Sequence, residues 1–240
     1  GRSKENNTMG TPTRFTSGVG TATKTSNTGY YGMPDPTKWI TYFNDFTEYV
    51  SGDWTITTTE AGSGAATEAL ASTSAGGLLL ITNDDADNDL DFFNLKTEAF
   101  KFVAGKKTFF KARFAVSDAT QSDFVMGLQI TDATPLAVSD GVYFMKDDGD
   151  ASLDFHVEKD GSDTTASAIA TVSDATMLVA GFYYDGKSAI EYYVDDVKLG
   201  TSVTTNLPDD EELAVSFGIQ NGAAAAKTMT VDYIFVSQER

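Results

Sequence analysis

A chain of 240 residues with a hydrophobic share of 41% is long enough for one large domain with a full core, or for a domain with a tail. It has no cysteine, which excludes disulfides and thiolate metal or redox sites, and it has no unbroken apolar run long enough for a transmembrane helix. Its 35 acidic and 17 basic residues leave a net charge of -18, a surface that repels nucleic-acid backbones, so neither a nucleic-acid nor a membrane partner is expected.

The first residues, Gly1-Arg2-Ser3-Lys4-Glu5, hold no apolar stretch of the signal-peptide kind and no initiator Met, so processing or truncation is expected. Residues 1–38 are rich in Thr, Ser, Gly and Asn, and up to residue 29 the only large apolar side chains are Met9, Phe15 and Val19. Such a segment closes no core of its own and reads as an extended N-terminal arm, joined to the body by Pro34 and Pro36. Residues 1–40 carry five cations against two acids, a charge of +3, which leaves about -21 on the rest. Arg14, Phe15, Lys24, Tyr30 and Tyr31 are the arm residues expected to touch a partner, and residues 39–240 form the domain.

Beyond Trp39 the hydrophobic period is two. Segments 53–59 and 76–82 read as strands, whereas 60–75, rich in Ala, Ser, Gly and Thr, fits either a short strand or a loop. A further strand is expected at 97–103. Phe110, Ala112, Phe114 and Val116 share one face of a run whose other face carries Lys111 and Arg113. The same alternation recurs at Phe124, Met126, Leu128 and Ile130; at Leu153, Phe155 and Val157; at Ile190, Tyr192 and Val194; and at Leu213, Val215, Phe217 and Ile219. Strands are also expected at 141–146, 165–172, 177–184 and 227–236. Asp148-Gly149, Asp160-Gly161, Asp185-Gly186 and Asn221-Gly222 supply the turns. With no convincing long helix, this pattern is an all-β sandwich of two antiparallel sheets.

Chemistry-bearing patterns are sparse. Asn83-Asp84-Asp85-Ala86-Asp87-Asn88-Asp89 is dense in oxygen donors, and Asp85, Asp87 and Asp89 follow the odd-position spacing of a calcium loop. Leu90 and Lys96 stand where an EF-hand needs Gly and Glu, so only a looser site is open to it, and calcium is the one candidate cofactor. Asp147, Asp148 and Asp150 form a second, weaker cluster. His156, the one histidine, falls on a polar face between Asp154 and Glu158, with no nucleophile motif to support it. Glu191 alternates with Tyr193 and Asp195, the nearest approach to the paired carboxylates of glycoside hydrolysis. The small face Ala214, Ser216 and Gly218 is expected to meet solvent, or else to leave room for a ligand or neighbour. No phosphate loop or dinucleotide fingerprint is present.

The stretch Ile190-Glu191-Tyr192-Tyr193-Val194-Asp195-Asp196-Val197-Lys198-Leu199-Gly200 resembles the hairpin of laminin-G and concanavalin-like domains, with Asp196 where Gly is usual. Met229 to Val236 is similar to their final strand. The resemblance implies a concanavalin-like jelly roll, a fold that hosts lectins, hydrolases and structural modules alike. Phe109 to Phe114, Phe124 to Asp132, Gly141 to Phe144, Gly181 to Gly186 and Thr204 to Leu213 resemble segments of virion structural proteins of marine tailed phages. That resemblance implies a non-enzymatic capsid decoration protein on the head surface. Its partners would be the major capsid protein and neighbouring copies of itself, in a homo-oligomer. The alternative is a carbohydrate-binding module or phage adhesin holding a surface glycan. If the arm tethers neighbours, deleting residues 1–29 should leave the domain folded but lower its occupancy on particles, read by quantitative gel analysis of purified virions.

Overall fold

The computed structural model describes residues 36–71 and 76–240. Arg14, Phe15, Lys24, Tyr30 and Tyr31 therefore lie outside the described residues. In chain order the strands are β1 (Trp39–Asn44), β2 (Trp54–Thr59), β3 (Thr67–Leu70), β4 (Leu79–Thr82), β5 (Leu90–Leu95), β6 (Thr108–Val116), β7 (Ser122–Gln129) and β8 (Gly141–Lys146). They continue with β9 (Ser152–Lys159), β10 (Ser162–Thr171), β11 (Leu178–Tyr184), β12 (Ala189–Val194), β13 (Val197–Val203), β14 (Ala214–Asn221) and β15 (Thr228–Glu239).

These strands form two sheets, and every pairing between them is antiparallel. The eight-stranded sheet runs β13-β12-β11-β6-β15-β4-β3, with β1 added on β15; the seven-stranded sheet runs β10-β9-β8-β7-β14-β5-β2. The chain ends are zipped together: β1 pairs with β15 from Trp39↔Glu239 to Asn44↔Ile234. The Arg240 amide donates to the Lys38 carbonyl at 2.8 Å, which fastens the start of the domain to its end.

Alternation delivers one side chain in two to the interlayer, and phenylalanine fills it. Phe110 and Phe182, neighbours on β6 and β11, stack at 5.2 Å, and Phe155 of the opposite sheet meets Phe182 at 5.9 Å. Towards the other end, Phe93 and Phe217 stack at 5.1 Å, with Trp54 set edge-on to both. A buried aromatic removes roughly 150–250 Å² from water, so this interlayer supplies the main stabilising term.

Two expectations need correction. Residues 97–103 are not a strand; Phe100 makes only an isolated bridge with Leu213. The strand lies earlier, at β5, where Leu90 to Asn94 are all buried. A strand covered on both faces has no reason to alternate, and its Asp and Asn made the segment look like loop. The small face of β14 does not meet solvent either: Ala214 and Ser216 are buried, and Phe92 crosses Gly218 so closely that an added Cβ would lie 2.5 Å from its ring. The open question at 60–75 resolves in part into β3, a four-residue edge strand. β1 went unread because its bulky side chains come in pairs, Trp39-Ile40 and Tyr42-Phe43, and so do not alternate.

Gly218→Ala should therefore lower stability by about 1–3 kcal/mol through overpacking against Phe92, measured as a shift in the denaturant midpoint with unchanged slope.

Candidate functional site

The two outer faces of the sandwich differ in what they leave open. On the seven-stranded sheet the centre is covered. Leu90, Phe92, Val125, Val138 and Tyr143 form a second apolar cluster, with Ile130, Leu136 and Met145 packed against it. At its rim the Tyr143 hydroxyl donates to Glu158 Oε2 at 2.6 Å, and burial raises both groups above their ordinary pKa values. The His156 ring stacks on Tyr143 at 5.1 Å, and its Nδ1 lies 2.9 Å from Asp163 Oδ2. The histidine read as a plain surface residue is thus held in a polar knot. The β9–β10 hairpin makes the contact by setting Asp163 opposite Glu158, next to His156↔Thr165 in the ladder.

The acidic clusters differ in how they are held. Asp85 and Asp87 are exposed, while Asp89 is buried and accepts from the amides of Ala61 at 2.6 Å and Ala86 at 3.0 Å. Asn83 and Asn221 tie the same loop to the sheet through the carbonyls of Asp89, Ile219, Asp84 and Ala86. In the second cluster the buried Lys146 ammonium donates to the carbonyls of Asp147 at 2.7 Å and Asp150 at 3.2 Å, so a side-chain cation already sits against that loop. Among the described residues no group of three or more His, Cys, Asp or Glu is arranged to hold a metal ion.

The open face is that of the eight-stranded sheet, where a groove of about 280 Å³ lies over β6, β11 and β12. The register explains it. Across the three strands Phe109, Tyr183 and Glu191 form one row, and Lys111, Gly181 and Tyr193 form the next. Gly181 has no side chain, so the middle of the second row is a gap. The floor there is tight, since an added Cβ would lie 2.9 Å from the Phe110 carbonyl oxygen. Phe109 and Tyr183 stack at 4.5 Å beside the gap, and Trp39 of β1 backs Phe109 at 6.1 Å.

Polar groups ring this aromatic pair. Glu191 accepts from Lys198 Nζ at 2.5 Å and from the Tyr193 hydroxyl, and the lysine first, then the tyrosine, holds its carboxyl below the usual range. Lys111 donates to Asp196 at 2.5 Å. Burial raises the Tyr183 hydroxyl, keeping it neutral and able to donate. Of the residues singled out beforehand, Glu191 and Tyr193 line the groove. Asp195 turns away: at φ 49° in the hairpin turn, its Oδ1 accepts from the Val179 amide at 2.9 Å. Phe109, Gly181 and Tyr183 went unread as site residues, since nothing local marks three residues on two distant strands as neighbours. A second recess, near β1 and β2, includes Trp54, but that ring is engaged edge-on in the core.

No family model matches the sequence, and no curated protein matches it either. Solved structures do match in fold. A protein of unknown function from Shewanella oneidensis MR-1 aligns with TM-score 0.58 and 14% identity, over 84% of this chain and 87% of that one. A glycoside hydrolase family 16 endo-glucanase from Bacteroides ovatus aligns with TM-score 0.60 and 13% identity, over 81% and 99%. The carbohydrate recognition domain of Emp46p, in its potassium-bound form, aligns with TM-score 0.56 and 8% identity, over 80% and 94%. The fold is a concanavalin-like jelly roll. At such identities the likeness is one of fold alone.

Because its folded pKa is depressed, Glu191 contributes stability that is present above its ordinary value of 4.5 and lost as the pH falls through the lower folded value. Lys198→Met should move the Glu191 carboxyl back up towards 4.5, which a carbon-detected NMR titration would read directly.

Proposed function

We propose that this chain is a non-catalytic binding protein whose eight-stranded face takes a neutral glycan, and that it serves as a structural component of a tailed-phage virion. One observation carries the glycan reading: the stacked pair Phe109 and Tyr183 stands beside the gap at Gly181, within a ring of polar side chains. A sugar ring presents an apolar C–H face and a rim of hydroxyls. The aromatic pair suits the face, while Glu191, Tyr193, Lys111 and Asp196 offer both acceptors and donors to the rim. Lys198 and Lys111 are each matched by an acid, and the chain carries a net charge of -18, which favours an uncharged polymer over an anionic one. The carbohydrate recognition domain and the endo-glucanase of similar fold support the reading by analogy.

Hydrolysis would require one protonated carboxyl facing a second across the bond, at roughly 5–9.5 Å. Glu191 is held ionised, and Asp196, the other carboxylate of the groove, is paired with Lys111. That arrangement suits holding a sugar rather than protonating a leaving group.

A glycan array probed with the full chain, with and without calcium, tests the binding. Phe109→Ala and Tyr183→Ala should each weaken a detected interaction about tenfold or more, a loss of about 1.4 kcal/mol. Silence under both conditions would sink the glycan reading, and a hydrolysis abolished by Glu191→Gln would overturn the non-catalytic one.

The virion setting rests on the resemblance of Phe109 to Phe114, Phe124 to Asp132 and Gly181 to Gly186 to phage structural proteins. As a capsid decoration protein the chain would be present in many copies, so that weak sugar contacts act together. Cryo-electron imaging of intact particles should find it on the head lattice beside the major capsid protein; its absence from the particle would end this part of the proposal.

A further inference from the structure

The inner face of β5 carries an acid at the border of a layer whose centre is filled by apolar side chains. Asp91 stands between Thr58 of β2 and Ile219 of β14, on the same face as Phe93. It is 0% exposed, and neither carboxyl oxygen has a hydrogen-bond partner among the described residues. Glu68, on β3 of the other sheet, is the group that acts on it most strongly, and Glu60, just after β2, adds a second acid. The Tyr49 hydroxyl, also buried and without a hydrogen-bond partner, feels both Asp91 and Glu68. The charges acting on Asp91 are therefore those of two acids, with a neutral phenol nearby.

An ionised carboxylate in such a place has neither solvent nor a counter-charge, so the neutral form is favoured. Burial first, then Glu68 and Glu60, push the Asp91 carboxyl up to about 8. A proton on either carboxyl would also let Asp91 and Glu68 hydrogen-bond to each other, completing the partner that the bare oxygens lack.

The element that carries Glu68 is a short edge strand. β3 has four residues, lies at an edge, and pairs only with β4, from Thr67↔Thr82 to Leu70↔Leu79. We propose that Asp91 and Glu68 form a proton-held latch that fastens the β3 edge onto the seven-stranded sheet, closed when they share a proton and released when both are ionised. Release would leave β4 as the free edge, with its backbone groups open to another strand.

The direction with pH follows from linkage. The folded-state value lies above the unfolded value of 3.8, so the folded chain retains a proton that the unfolded chain gives up between about pH 4 and 8. Stability is greatest at the acid end of that window, declines as the pH rises through it, and levels off above it.

Hydrogen exchange on the full-length chain tests the latch. After correction for intrinsic exchange, protection of the amides at 67–70 should fall between about pH 5 and 8, by up to about tenfold per pH unit, and level off above that, while those of β14 change less. Asp91→Asn keeps the shape without the charge and should flatten both this fall and the pH dependence of Tm. Glu68→Gln should shift the wild-type transition towards lower pH if ionised Glu68 is what opposes ionisation of Asp91. Unchanged protection of 67–70 in the wild type would overturn the proposal without recourse to any variant. So would a wild-type pH dependence surviving in Asp91→Asn.

Discussion

The interlayer is the constraint on which the rest of this molecule depends. Two twisted sheets stay together only if every strand delivers apolar side chains inward at the same depth, and here Phe93, Phe217, Phe110, Phe182, Phe144 and Phe155 supply most of that volume. The stacked pairs within each sheet hold neighbouring strands in register, and the contacts between sheets hold the layers in place. Without disulfides, nothing covalent shares that work.

Because the inward positions serve packing, recognition has to be built from the outward ones, and the two faces use them differently. On the seven-stranded sheet, Gly127 and Gly218 let Tyr143 and Phe92 lie flat across the strands, and the segment around Val138 closes over them. On the eight-stranded sheet no segment among the described residues covers β6, β11 and β12 in this way. A single glycine, Gly181, then makes a groove where a larger residue would have made a continuous surface. The same residue type thus closes one face and opens the other; what differs is whether a neighbouring ring reaches into the space.

The acidity of the chain is distributed by the same geometry. Most of the carboxylates that touch anything bind backbone amides or lysines at the ends of strands. Asp89 staples a loop, Asp195 joins a turn to β11, and Asp118 pairs with Lys227 at 2.7 Å. Asp91 is different. It sits in the interlayer with no base among the described residues to meet it, and there the packing constraint and the charge of the chain come into direct conflict.

What the sequence by itself determined was local: the period of two at Phe110 to Val116 and Leu153 to Val157, the Asp-Gly turns, and with them an all-β sandwich. Those signals are carried by adjacent residues, because the alternation of side chains along a strand needs no knowledge of its partner. It failed at β5, where burial on both faces erases alternation, and it misplaced the small face of β14, whose alternation was plain but whose cover comes from Phe92 on the neighbouring strand. Tertiary structure alone decided which outward residues became neighbours. Phe109 meets Tyr183, His156 meets Asp163, and Asp91 faces Glu68 only through strand order and register. Those depend on the summed packing of all the strands rather than on any short stretch of chain.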